Sequence, residues 1–321
     1  MIPDDITPKD CYNTAGWFCS LANAKESTWK GKILRGRRNH HHTVKPVFKA
    51  EHGATWATTH TDYGIDPYLM HWTALQLLQQ PVKNIQLALY MLKTAAEFDY
   101  DPSVIASVRF IQRSLRESGS QRARIFFQPV TEKFTKLVRD GQNPDALTLQ
   151  ALIEMSRGKK DKALSYLDRA IFAAANSNNI FAPAPTKNDH LDYRMAGPLT
   201  GSQREPRWGS EAECYYHLGI IQAHRGQLEA AEASFRIGAL ELDDARSYLE
   251  LAKLLPKDSP EHHAHLIKAA ISGNRDALPQ LCDYENQRCG RKKDGDGPLW
   301  AREWALVWKD GQADLNSSPT L

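Results

Sequence analysis

No run of about 18 apolar residues occurs in the chain, so no membrane-spanning helix is expected. Cysteine is scarce and odd in number: Cys11, Cys19, Cys214, Cys282 and Cys289. None forms a CxxC pair, which argues against a disulfide framework and a zinc ribbon and suits a reducing compartment. Cys282 and Cys289 are close enough for a strained pair, but reduced thiols are the favoured state. Charge of one sign is missing too. Lys and Arg number 41 against 38 Asp and Glu, a net +3 that is too small to argue for nucleic acid by itself. The first residues, MIPDDITPKDC, lack the apolar core of a secretory signal. Their aspartates do not suit a mitochondrial presequence.

Catalytic signatures are missing as well. There is no GxSxG elbow, phosphate-binding glycine loop, HExxH helix or dinucleotide fingerprint. Cys214 and His217 lie three apart, but a core cysteine beside a surface histidine accounts for that spacing. His40, His41 and His42, with His52, His60 and His71 beyond them, have no fixed ligand spacing on ordered structure. Asp294 and Asp296 lack the other oxygen ligands of a calcium loop. The expectation is a protein that is not an enzyme, with no cofactor and no metal. It is expected to be soluble and intracellular, either mitochondrial or cytoplasmic.

What is present is helical periodicity. The stretch Ser210 to Asp244 divides at Gly226. Its first half puts Tyr215, Leu218, Gly219 and Gln222 on one helical face, and its second half Leu228, Ala231, Phe235 and Gly238. Spacings of three and four residues make one apolar stripe. Gly226 stands where the first helix must stop, and glycine tolerates the left-handed backbone such a stop uses. Small residues, Gly219, Ala231 and Gly238, fall where two antiparallel helices come closest.

The same pattern recurs. Ala163, Leu167 and Ala170 repeat the mutual offsets of Ala231, Phe235 and Gly238, and so do Ala88, Leu92 and Ala95. Gly158 precedes Ala163 as Gly226 precedes Ala231. A fainter copy keeps Leu266 and Ala269 but has His262 for the first alanine. Start signals agree: Asp66–Pro67, Asn143–Pro144 and Ser259–Pro260 each place a capping side chain before a proline. Gln121 to Arg139 reads as helical with an interruption at Pro129.

The unit of about 34 residues, with its Leu-Gly pair, turn glycine and following alanine, aromatic and small residue, resembles the tetratricopeptide repeat. The segments around Ala95–Ala96 and Ala269–Ala270 are similar to its Sel1-like variety. The resemblance implies an all-α superhelical array of antiparallel helix–turn–helix hairpins over about residues 62–310. It also implies a concave groove, lined by first helices, that takes a partner's peptide or helix. The paired asparagines and lysines that clamp acidic C-termini in such repeats are not recognisable.

Three segments stand apart from the repeats. Residues 1–61 read as a flexible basic arm without sustained period, carrying Lys32, Arg35, Arg37 and Arg38 in a stretch free of acids. Clustered cations attract phosphate, so an organellar RNA- or ribosome-associated protein is the alternative reading. Residues 176–209 form a proline- and glycine-rich loop in which Tyr193 and Trp208 are candidate partner-binding aromatics. Trp300, Trp304 and Trp308 share one face of a last helix, expected to cap the array, and residues 311–321 are expected to be disordered.

Overall fold

The computed structural model describes residues 6–23, 66–79, 84–118, 125–176 and 203–291, with positions 303 and 306. The described residues form helices and turns and no strand. The chain divides into two units, Met1–Arg139 and Asp140–Leu321.

The first unit contains α1 (Pro8–Asn23), α2 (Pro67–Gln79), α3 (Ile85–Glu97) and α4 (Asp101–Ser118), and α5 (Gln128–Asp140) ends at its boundary. Capping side chains set the starts. Asp66 Oδ1 accepts from the Tyr68 N–H at 2.9 Å, and Asn84 Oδ1 from the Leu87 N–H at 3.2 Å. After α3 the chain reverses through Asp99 at φ 59°. Lys133 holds this end: its Nζ donates to the Ala96 and Glu97 carbonyls at 3.0 and 2.6 Å and pairs with Asp99. Phe18, Met70, Ala88, Met91, Leu92 and Ala95 form the core, all at most 1% exposed.

Helix α1 corrects the expectation of an arm beginning at the first residue. Phe18 is fully buried and joins the core of α2 and α3. The helix opens with a reciprocal cap in which Asp10 Oδ2 accepts from the Thr7 N–H at 2.9 Å and Thr7 Oγ1 accepts from the Asp10 N–H at 3.2 Å. Its described buried residues are Asp10, Cys11, Thr14 and Phe18, so polar residues interrupt the apolar side. The rest of the expected arm, residues 24–61, lies outside the described residues. The expected interruption at Pro129 falls where helical residues 125–126 give way to a turn at Phe127 and α5 starts at Gln128, with Pro129 in its first turn, where a missing N–H costs nothing.

The second unit runs through α6 (Pro144–Ser156), α7 (Lys160–Asn176), α8 (Glu211–His224) and α9 (Leu228–Arg236). It continues with α10 (Ala245–Leu254), α11 (Pro260–Ile271) and α12 (Ala277–Arg291). Helices pair in sequence order as hairpins: α6 with α7, α8 with α9, and α10 with α11. Gly158 and Gly226 both take φ +75°, the left-handed stop a helix uses to turn back. Ala163, Leu167 and Ala170 are fully buried, Ala231 and Phe235 at most 1% exposed. Gly219 lets the Phe235 ring in: a Cβ there would stand 2.5 Å from Phe235 Cε1.

Gly238 has a different surrounding from Ala170. The α-helix ends at Arg236 and widens into a π turn over Ile237–Glu241, closed by the Leu242 N–H to the Ile237 carbonyl at 3.2 Å. A Cβ on Gly238 would collide with Ser247 of the next hairpin. In the fourth copy, His262 fills the alanine position. Its Nδ1 lies 2.8 Å from the Ala252 carbonyl, so the larger ring is accommodated by a hydrogen bond.

Candidate protein-binding surface

Helix α8 is packed on two sides and open on a third. Cys214 and Ile221 are fully buried, with the Cys214 thiol 3.8 Å from the Leu167 carbonyl of α7. Tyr216, Ile220 and Ala223 lean on the core of the later helices but stay partly exposed. Glu213, His217, Ile220 and His224, three or four residues apart, line the open side.

Helix α10 extends this surface. The Arg246 guanidinium lies 4.6 Å from the Tyr216 ring centroid and 3.1 Å from Asp244. Glu250 pairs with Lys253 at 2.7 Å. The Tyr216 hydroxyl is pushed up by burial and by Glu250, with Arg246 opposing. Burial pushes His217 down to about 4, so it is neutral at neutral pH and offers a hydrogen-bonding ring instead of a charge. The strip thus combines an aromatic face, a guanidinium and carboxylates on two successive first helices. Such a surface suits recognition of another chain.

Burial raises the Cys214 thiol to about 12, so it is no thiolate at neutral pH. Among the described residues, no group of three His, Cys, Asp or Glu side chains could hold a metal ion. No helix among them is long and apolar enough to cross a membrane.

Trp208 is placed differently from the expectation of a partner-facing aromatic. It is 6% exposed, packed in the second unit, with the Arg207 guanidinium 5.3 Å from its ring. A clasp ties its segment down. Glu211, fully buried at the start of α8, accepts from Arg204 Nη1 and Nη2 at 2.9 and 2.8 Å. It also accepts from the Arg207 N–H at 2.6 Å and from Arg207 Nε at 2.7 Å. Arg204 Nε reaches Glu241 at 2.7 Å, and Ser210 Oγ donates to Asp145 at 2.5 Å. Burial opposes the charge on Glu211, but the Arg204 and Arg207 hydrogen bonds outweigh it and hold the carboxyl below its ordinary range. Sequence reading misses this cluster. Its one local signal is Arg207 and Glu211 four apart; the Arg204–Glu241 contact spans the hairpin.

The other candidate residues, Tyr193, Lys32, Arg35, Arg37 and Arg38, lie outside the described residues, as do Trp300, Trp304 and Trp308. In the first unit, Phe18, Leu87, Leu89, Tyr90 and Phe126 line an apolar groove of about 480 Å³, with Cys19 at its wall. Lys93 Nζ stands 4.3 Å over the Phe126 ring.

No protein-family model matches the chain, and no curated protein matches it in sequence. Among solved structures it is similar to a Sel1 repeat protein from Oxalobacter formigenes. The two share 15% identity with a TM-score of 0.50, over 79% of this chain and 91% of that one. At that identity the likeness is one of fold: this chain is built as an all-α series of antiparallel hairpins of the Sel1 type.

Proposed function

We propose that this chain is a non-enzymatic scaffold that binds a partner's peptide or helix across α8 and α10. The observation that carries the reading is the Tyr216–Arg246 pair. It is a partly exposed aromatic and cation held in fixed relation by two successive hairpins, with Glu213, His217 and Glu250 around it. Residues of this kind are the energetic anchors of protein interfaces. A hairpin repeat supplies the rigidity, because each helix is braced by its neighbours. Four free cysteines among the described residues suit a reducing compartment. The RNA reading rests on Lys32, Arg35, Arg37 and Arg38, and nothing among the described residues favours it.

The test is affinity capture with quantitative mass spectrometry, using the full chain, the double variant Tyr216→Ala/Arg246→Glu, and Glu229→Ala on the exposed side of α9. Partners enriched by the parent chain and by Glu229→Ala should fall at least tenfold with the double variant, while circular dichroism stays unchanged. Equal recovery by all three chains removes the α8–α10 surface from consideration.

A further inference from the structure

Helix α11 carries three imidazoles within one turn, and they join it to both neighbouring helices. His262 Nδ1 lies 2.8 Å from the Ala252 carbonyl of α10. A carbonyl only accepts, so Nδ1 carries the proton. His263 stacks on Tyr284 of α12, with ring centroids 4.4 Å apart and planes 16° from parallel. His265, 4% exposed, lies 5.8 Å from the Tyr248 ring of α10. Its Nδ1 is buried with no hydrogen-bond partner among the described residues.

The groups around His265 leave no place for a second positive charge. Arg236 faces it from α9 and His262 from the same turn of α11. The nearby carboxylates are engaged. Glu232 pairs with Arg236 at 2.9 Å, and Asp243 pairs with Lys268 at 3.1 Å while holding the Tyr248 hydroxyl. A protonated His265 would therefore be a buried cation facing an arginine across an apolar core. Such a charge costs several kcal/mol unless the group moves to water.

We propose that α11 is an acid-sensitive latch: on mild acidification His265 takes up a proton, and α11 with α12 releases from α9 and α10 while the α6–α7 hairpin stays folded. Burial first, then Arg236 and His262, push His265 down to about 4 from 6.5. The released form holds the proton more tightly, so linkage favours release about 20-fold more at pH 5 than at pH 7. His217, on α8 beside Arg246, Asp244 and Glu213, is pushed down in the same way and acts at the α8–α10 boundary instead. The latch is independent of what the chain binds.

Hydrogen exchange of the full chain at pH 7 and pH 5, corrected for intrinsic exchange rates, tests this. Peptides from α11 and α12 should lose protection about 20-fold at pH 5, while those of α6 and α7 hold theirs. His265→Phe and His265→Gln, which cannot titrate, should abolish the difference; either suffices if the other fails to fold. Equal protection of α11 at both pH values overturns the latch. So does loss that spreads equally to α6 and α7, or loss that persists in the non-titrating variant.

Discussion

Gly219 and Phe235 occupy one another's space across the α8–α9 hairpin. A Cβ on Gly219 would stand 2.5 Å from Cε1 of the ring and 2.8 Å from two further ring atoms, and Phe235 is itself 1% exposed. Gly219→Ala should therefore destabilise the second unit by about 1–3 kcal/mol, because the ring has nowhere to retreat. Gly16 on α1 provides the control. No described atom stands within 4 Å of a Cβ there, so Gly16→Ala should gain about 0.5–1 kcal/mol from helix propensity. Urea unfolding of the two variants checks the opposite signs, and a shift in the same direction for both defeats the packing argument.

Glu211→Gln should cost more than an ordinary surface exchange. It leaves Arg204 and Arg207 facing a neutral amide with their carboxylate removed, and breaking a buried pair costs about 3–5 kcal/mol. Arg204 remains partly solvated at 32% exposure and keeps Glu241, which places the loss at the lower end of that range. The pH dependence has a definite sign. Glu211 is held below 4.5, so its contribution is complete above that value and is lost as pH falls through its lowered folded value. A variant whose acid limb matches that of the parent chain would show that Glu211 is not the group responsible.

Histidine titration acts at higher pH. In the first unit, His71 is 5% exposed, with Nδ1 2.9 Å from the Ser103 hydroxyl, and burial pushes it down to about 4. The folded state thus favours the neutral ring. Its share of stability is present above about 6.5 and declines as pH falls toward 4, with a total on the order of 3 kcal/mol. His71→Phe should flatten that part of the pH profile while lowering the neutral-pH plateau, since Ser103 loses its partner. An unchanged slope between pH 6.5 and 4, followed on first-unit peptides by hydrogen exchange, rules out this role.

Helix α1 should be required for the first unit. Phe18→Ala opens a cavity against Met70, Met91 and Leu92 and should cost about 3–5 kcal/mol. A chain starting at residue 62 should lose protection in α2 and α3 for the same reason. Unchanged hydrogen exchange in those two helices would return α1 to the status of a dispensable arm.

The hairpins are legible in the chain because their contacts are local. Alanine, a large apolar residue and a small one recur on one helix, and turn glycines stand a fixed distance before them. Gly158 and Gly226 can be identified from sequence for that reason, and both have positive φ. Helix α1 is concealed because Asp10 and Thr14 stand among its buried residues and break the apolar stripe. The π turn after Arg236 is concealed because the offsets of Ala231, Phe235 and Gly238 run on as in an ordinary α-helix. Trp208 reads as a loop aromatic, since its burial depends on the Glu211 clasp, and the clasp on Arg204 meeting Glu241, 37 residues away. Periodicity reports which face of a helix is buried, not which distant side chain will complete a buried ion pair.

That clasp also bears on how the gene can change. Asn176 ends one hairpin helix, and Arg204 is fastened to Glu211 and Glu241 by contacts that do not depend on how many residues lie between the two. A change in the number of residues between Asn176 and Arg204 would therefore leave the Arg204–Glu211–Glu241 contacts in place.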